Sequence, residues 1–372
     1  MKIVVVGGGY AGLSCLMALA DRLPDTQRVL VDPARYHIKL TRLQEGLRRP
    51  AGDLRVPFEK LAARYGFRHV SARPSLGATA LRQAAATGRL SAGGLDEGFD
   101  VLVVAVGLKP RPRPRQPGCV GLSDLRRTAG SGLTGRIERE AGGSKDRITV
   151  VGGGATGLQY LFELSDALRR QGAPTRLSLV DPGSRLLPRQ PGQFHDYVSA
   201  RMKEAGIGYL RGYRLVSARG HRLQLESGSG KSRELASRIT LVLTGQVGNP
   251  ARHEAADSGQ VVIDGELLDT VFAAGDCSVY AGPGLNSPSA QAAVRKGRHV
   301  AENIARLARG RRLKGYRARE LGFFLSMGML DGIGWVGRSD AVLTGAPAFA
   351  VREAIETRYE LFVRGLDTFQ VL

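Results

Sequence analysis

The chain has 372 residues, length enough for two or three domains. Hydrophobic residues make up 42% and aromatics 6%, and the 50 glycines follow no collagen-like period, so the composition suits a packed α/β protein rich in tight turns. The formal charge of +20 comes from arginines scattered along the whole chain, with no basic block interleaved with aromatics, and so gives no reason to expect a nucleic-acid partner. Cys15, Cys119 and Cys277 stand far apart, with no C-x-x-C pair and no Cys/His grouping at zinc spacing; this argues against a redox disulfide or a metal site and fits a reducing, intracellular compartment. The apolar run after Met1-Lys2 is broken at once by Gly7-Gly8-Gly9, and no stretch reaches the roughly 18 apolar residues of a spanning helix. The expected location is cytoplasmic, at most peripheral to a membrane.

Lys2–Val6 is a short β-branched run that predicts a buried parallel strand. Gly7-Gly8-Gly9-Tyr10-Ala11-Gly12 follows with the G-x-G-x-x-G spacing, and helical periodicity continues over Leu13–Leu23. Strand, glycine turn and helix in that order give the spacing its meaning. Gly7 allows the tight turn, Gly9 lets a pyrophosphate approach the backbone, and Gly12 lets helix and strand pack closely. The free N–H groups and dipole of the helix start then hold the phosphates, with Tyr10 and Ala11 part of the cradle. Arg28–Val31 predicts the next strand, and Asp32 stands 20 residues beyond Gly12, where a carboxylate meets an adenosine ribose.

Val70–Leu95 contains short strand-like pieces between glycines and serines and reads as a small β-meander. The proline-rich stretch Leu108–Gly118 reads as a surface crossing, and Ser131–Lys145, rich in Gly and Ser, as a linker. Then the first set recurs: the strand Ile148–Val151, the turn Gly152-Gly153-Gly154-Ala155-Thr156-Gly157, the helix Leu158–Arg169 and the strand Arg176–Val180. Asp181 stands 24 residues beyond Gly157. Two complete sets imply two dinucleotides, for which a flavin and a nicotinamide cofactor are the usual pair.

Further on, Thr270–Tyr280 (TVFAAGDCSVY) resembles the second flavin signature of the flavoproteins with two dinucleotide-binding domains, in which an aspartate, here Asp276, bonds the ribityl chain. Phe99–Gly107 resembles the strand by which that family's chain leaves its first flavin segment, and Ile239–Pro250 resembles its return, which adds Gly107 and Gly245 to the expected cofactor contacts. The resemblance implies two Rossmann-like domains, the second inserted into the first: FAD-binding residues 1–115 and 245–320, NAD(P)H-binding residues 116–244, and a small C-terminal α+β region, 321–372.

From Met1 to Gly315 the chain looks like the type II NADH:quinone oxidoreductases and their apoptosis-inducing-factor-like relatives. Tyr36–Gly46 resembles the segment against the flavin ring, which would bring Lys39 and Arg42 to the flavin charge, with His37 a candidate acid. Arg185–Pro191 resembles the turn after the second acid. Ser289–Ile304 resembles the helix whose start faces the flavin pyrimidine and whose glutamines line the quinone site, here Gln291. Two residues depart from the pattern: Gln159 where the family has Glu, and Arg295 where the A-Q-x-A-x-Q motif ends in Gln. The implied catalytic residues are Gln291, Lys39 and Gln159. The implied cofactors are FAD on the first turn and NADH on the second, with a quinone or another small molecule as acceptor. A soluble NAD(P)H-dependent flavin reductase and a non-catalytic NADH-responsive binding protein are the alternatives.

Phe349–Asp367 predicts an amphipathic helix with Ile355, Tyr359, Phe362 and Leu366 on one stripe. In type II enzymes such a region meets the bilayer. Here its polar face mixes Arg352, Arg358 and Arg364 with Glu353, Glu356 and Glu360, a pattern that equally suits packing on its own body or a homodimer contact.

Overall fold

The computed structural model describes every residue except 93, 130, 141, 142, 144, 145, 248–251, 282–285, 318, 319 and 367–372. The chain divides into two compact units. The first contains Met1–Ile38, Arg55–Lys109 and Val247–Glu320; the second contains Lys39–Leu54, Pro110–Gln246 and Leu321–Leu372.

The first unit is built on an eight-stranded sheet. Its strands run in the spatial order Ser278–Tyr280, His253–Ala255, Gln260–Ile263, Glu266–Ala273, Val101–Val104, Lys2–Val6, Gln27–Val31, Arg68–Val70. Lys2–Val6 pairs in parallel with Gln27–Val31 on one side and with Val101–Val104 on the other, with Val4 opposite both Val29 and Leu102. Ile3, Val4 and Val5 are fully buried, which explains why this strand is apolar throughout rather than alternating. Each such side chain contributes about 1.5–3 kcal/mol by leaving water. The helix Tyr10–Arg22 follows this strand, and the helix Ala290–Leu307 packs against it.

The second unit holds a five-stranded parallel sheet in the order Cys119–Gly121, Ile239–Val242, Arg147–Val151, Arg176–Asp181, Gly208–Arg211. The helix Ala155–Arg170 follows its central strand. Tyr213–Arg219, Arg222–Ser227 and Ser232–Ala236 form an antiparallel sheet beside it. The C-terminal stretch makes a second antiparallel sheet, Gly322–Ser326, Gly332–Val336 and Val342–Thr344, followed by the helix Gly345–Val363. Among the described residues no helix is long and apolar enough to cross a membrane.

Three local expectations are corrected. Within Val70–Leu95 the chain forms the helix Ala78–Thr87 before a two-stranded hairpin, because an Ala-rich stretch can bury Leu81 and Ala84 between Gly77 and Gly88. Gly88 ends that helix at φ +63°, a left-handed conformation that glycine adopts without strain. The expected linker Ser131–Lys145 starts as the helix Ser131–Glu140, which buries Leu133 and Ile137 four residues apart. Residues 141, 142, 144 and 145 of that stretch lie outside the described residues, as do residues 248–250 of the expected return Ile239–Pro250. The last helix ends at Val363, so Leu366 falls beyond it and is exposed, while Asp367 lies outside the described residues.

Candidate active site

In the first unit the glycine turn is shaped by close approach. A Cβ on Gly12 would lie 1.9 Å from the Gly7 carbonyl oxygen, and one on Gly7, at φ +107°, would lie 2.5 Å from the Ala105 oxygen. Gly9 differs: a Cβ there meets nothing within 4 Å. It is the exposed cap of the helix Tyr10–Arg22, whose first turn carries no acidic residue. The N–H groups of Tyr10 and Ala11 therefore start a positive helix end that opens onto space a ligand can enter.

Asp32 is locked at the edge of this opening. Its Oδ2 accepts from the Gly8 N–H at 2.7 Å and its Oδ1 from the Ala34 N–H at 2.7 Å. His37, read from sequence as a candidate acid, is buried with Nδ1 3.0 Å from the Gly8 carbonyl oxygen and its ring edge-on to Tyr10, so it buttresses the turn. Gly107 follows Val101–Val104 at φ +64°, again with nothing within 4 Å of a Cβ. Gly275 is pressed against Ala11, where an added Cβ would come within 2.8 Å of the Ala11 Cβ. Asp276 is thereby held beside the first helix. Burial raises its carboxyl to about 6, with Lys296 pulling the other way. Gly297 touches Ala11 from the helix Ala290–Leu307, which starts with the Ser289 hydroxyl accepting from the Ala292 N–H at 3.2 Å. Gln291, half-buried, stands in its first turn. Gly7, Gly9, Tyr10, Ala11, Gly12, Asp32, Gly107, Asp276 and Gln291 thus fall in one unit.

The second unit repeats the plan. A Cβ on Gly157 would lie 1.9 Å from the Gly152 oxygen, whereas Gly154 and Gly245 have nothing within 4 Å. Ala155, Thr156 and Gly157 open the helix Ala155–Arg170, again with no acid in the first turn. Asp181 accepts from the Gly153 N–H at 2.6 Å and from the Gly183 N–H at 2.8 Å. Each unit therefore has a fixed carboxylate, an uncapped helix start and an uncrowded glycine at the carboxyl ends of its parallel strands, which fits a dinucleotide in each.

Lys39, Arg42 and Gln159 also lie in the second unit, where other groups engage them. Lys39 Nζ is 3.0 Å from Glu360. Arg42 is 3.1 Å from Glu45 and 3.0 Å from Glu353, with Glu356 and Glu360 within 3.7 Å. Burial opposes the Arg42 charge, yet these carboxylates hold its pKa above the usual value. Gln159 donates to the Ser326 hydroxyl at 3.2 Å, shared with Gln44 at 3.4 Å. One turn further along the same helix, buried Glu163 accepts from Arg48 Nε at 2.6 Å; its burial outweighs that pairing and raises its pKa. Glu45, Glu163 and Lys296 are among the buried ionisable groups that the sequence reading missed. Glu163 sits in the helix after the turn, four residues beyond Gln159, and that spacing was its available signal.

The family model for pyridine nucleotide-disulphide oxidoreductases matches residues 1–297. A curated type II NADH:quinone oxidoreductase from Staphylococcus saprophyticus is 25% identical over 395 residues, spanning 96% of this chain and 94% of its own length. The sulfide:quinone oxidoreductase of Aquifex aeolicus superposes with a TM-score of 0.78 at 14% identity, covering 98% of this chain and 91% of that one. NDH2 from Plasmodium falciparum, solved in complex with NADH, gives 0.78 at 13% identity over 95% and 94%. In this chain the three cysteines are free and buried. With two built nucleotide cradles and a family match over most of its length, the chain belongs to the pyridine nucleotide-disulphide oxidoreductase family.

Proposed function

We propose that this chain is an FAD-dependent NADH dehydrogenase that passes electrons to a quinone. The observation that carries the reading is the duplicated cradle, each copy with its own locked acid and open glycine, together with full-length similarity to type II NADH:quinone oxidoreductases. In this reading the turn Gly7–Gly12, Asp32, Gly107 and Asp276 hold FAD, and the turn Gly152–Gly157, Asp181 and Gly245 hold NADH. Bound there, FAD would supply the two-electron chemistry that links NADH to the acceptor. The chain's own residues bind and position. Helix N–H groups neutralise the pyrophosphates, Asp32 accepts from ribose hydroxyls, and Asp276 accepts from the sugar-alcohol chain. The start of Ala290–Leu307, whose Ala292 N–H is already taken by the Ser289 hydroxyl, turns its positive dipole end to negative charge on the flavin. Gln291 is assigned to the acceptor side.

NADH is the expected donor. Asp181 has both oxygens fixed by backbone N–H groups, so it cannot swing away from a 2′-phosphate, which it repels. Stopped-flow reduction of the flavin by NADH should exceed that by NADPH at least about tenfold; equal rates would sink the assignment. Steady-state NADH oxidation with a short-chain quinone, a soluble dye and oxygen tests the acceptor, and a protein that reduces dyes but no quinone would leave the soluble-reductase reading standing.

Arg295 is the observation that favours that second reading, since a guanidinium keeps its proton and is costly to bury beside a neutral head group. Arg295→Gln supplies the glutamine with which the A-Q-x-A-x-Q motif ends. An unchanged rate places Arg295 at the border of the quinone path, while a gain of quinone activity the parent lacks shows that it blocks the path. We infer further that the last helix is not a bilayer anchor. Tyr359 and Phe362 are buried, and the helix packs on the strands Gly322–Ser326 and Gly332–Val336, so most of its stripe is used within the unit.

A further inference from the structure

The stretch between Asp181 and the helix Gly192–Glu204 lies against the second glycine turn. Leu186 is 1% exposed, and its Cδ2 lies 2.6 Å from where a Cβ on Gly153 would stand, so the leucine rests directly on the turn. Asp181 is fixed between the two segments, by the Gly153 N–H of the turn and the Gly183 N–H of the stretch. Its aim therefore depends on where that stretch is held. Leu187 stands at φ +48°, a left-handed conformation that a leucine keeps only where its surroundings impose it.

Within the stretch, the Gln190 N–H closes onto the Leu187 oxygen at 2.9 Å, and Arg185 donates to the Gln190 carbonyl oxygen. Two further contacts come from outside the stretch, in the same unit. The Leu186 N–H donates to His195 Nδ1 at 3.1 Å, a side chain standing in for a backbone acceptor. Trp335 Nε1 donates to Gln190 Oε1 at 2.9 Å. Trp335 lies opposite Phe323 in the C-terminal antiparallel sheet, so the two side chains share a face. The Phe323 ring in turn packs on the Phe194 ring at 5.8 Å between centres. Tyr197 Oη and Arg201 Nε each donate to Asp331, the residue before the strand Gly332–Val336, at 2.8 Å. Phe194, Tyr197 and Arg201 are three and four residues apart, which puts them on one face of the helix. The C-terminal sheet thus holds both the helix that carries His195 and the stretch that carries Leu186.

We propose that the C-terminal sheet braces the nicotinamide-cofactor site, with Trp335 and His195 as positioning residues that set the aim of Asp181. The inference rests on the placement of NADH at Asp181. That carboxylate discriminates only while it is held. With both oxygens on backbone N–H groups it accepts from the ribose hydroxyls of NADH and cannot turn from the 2′-phosphate of NADPH. Release of the Gly183 side would cost the ribose its aligned acceptor and let the carboxylate move off the phosphate. Loss of either contact should therefore weaken NADH binding and leave NADPH binding near its parent value. A change that merely loosened the fold would weaken both cofactors alike.

The test is stopped-flow reduction of the FAD-bound protein over a range of NADH and NADPH concentrations, which separates each cofactor's Kd from the limiting rate. The variants are His195→Leu, His195→Asn, Trp335→Phe and Asp181→Asn. Trp335→Phe keeps an aromatic ring on the sheet and removes the N–H; His195→Leu removes the acceptor and leaves the Leu186 N–H unpaired. Each should raise the Kd for NADH by roughly five- to tenfold, the weight of one such hydrogen bond. The Kd for NADPH, the limiting rate and the FAD content should stay near parent values. His195→Asn places an oxygen where Nδ1 stands and should restore parent behaviour. Trp335→Phe supplies the same reading if His195→Leu does not fold. Folded variants that bind NADH like the parent, or that weaken both cofactors by the same factor, would overturn the brace while Asp181→Asn still lowers the preference for NADH. An Asp181→Asn protein with the parent's preference would overturn the placement of NADH at Asp181, and the inference with it.

Discussion

Gly9→Val is expected to give a folded protein that purifies without flavin. Gly9 sits at φ −79° and ψ −170°, a conformation open to valine, and a Cβ there meets no atom within 4 Å. The substitution should therefore leave the unfolding temperature of the flavin-free protein nearly unchanged. The isopropyl group would occupy the space before the first helical N–H groups, where a pyrophosphate must approach the backbone. FAD affinity should fall by roughly a hundredfold or more, since two or three charge-assisted hydrogen bonds are lost together. Gly154→Val is the matched case: φ −78°, ψ 175° and equally open space. It should keep its yellow colour and lose reduction by NADH. Gly12→Ala and Gly157→Ala make the contrast, because each new methyl would lie 1.9 Å from a backbone oxygen, so these two should fail to fold normally. Circular dichroism and flavin absorbance separate the outcomes. A Gly9→Val protein that holds FAD as tightly as the parent refutes the first cradle, and loss of FAD from Gly154→Val alone would mean that the two cofactors are assigned the wrong way round.

Both cradles were legible because their information is local. Strand, turn, helix and acid fall within about 30 residues, the span of one βαβ unit, and the structure fixes Asp32 and Asp181 by the same backbone bonds from Gly8 and Gly153. What sequence hid was of two kinds. Flanking glycines and serines disguised the helix Ala78–Thr87, which its alanines favour and Leu81 anchors, while internal ones disguised Ser131–Glu140, which is held by burying Leu133 and Ile137 rather than by propensity. The second kind is non-local. Lys39 and Arg42 look like free cations beside a cofactor segment until Glu353, Glu356 and Glu360, more than 300 residues away, are brought onto them. The mixed charges of the last helix suited packing on its own body or a homodimer contact, but sequence could not say which residues they would meet. Its Arg352 is in fact buried, donating to Thr41 O at 2.7 Å and paired with Glu45 at 3.2 Å. No periodicity in either segment announces such a pairing, because complementarity between two distant stretches has no one-dimensional signature.

The consequence is that Glu45→Gln should be among the most destabilising single changes in the second unit. Glu45 is fully buried, with Arg42 at 3.1 Å, Arg49 at 2.9 Å, Arg352 at 3.2 Å and Arg48 at 3.6 Å. Burial pushes its carboxyl up, but these four arginines outweigh burial and hold it below the ordinary 4.5. Glutamine keeps the volume and removes the charge, leaving Arg42 and Arg352 buried with less compensation. Breaking one partner of a buried cluster in this way costs about 3–5 kcal/mol, to be read from urea unfolding at neutral pH. Replacing both sides, as in Glu45→Leu with Arg352→Met, removes the stranded charge and should cost distinctly less than Glu45→Gln alone. The pH dependence has a definite sign. Because the folded carboxyl lies below its unfolded value, its contribution is complete above that unfolded value and disappears as the pH falls through the folded one. Glu163 and Glu356 run the other way, since burial raises both in spite of Arg48 and Arg352; their ionisation weighs against the fold as the pH rises through their folded values. The parent should therefore lose stability on its acid limb below about pH 4.5, and Glu45→Gln should flatten that limb while lying lower at neutral pH. A Glu45→Gln protein as stable as its parent at neutral pH would show that this cluster behaves like exposed ion pairing, whose contribution is near zero, and that the last helix is held by Tyr359, Phe362 and Val363 alone.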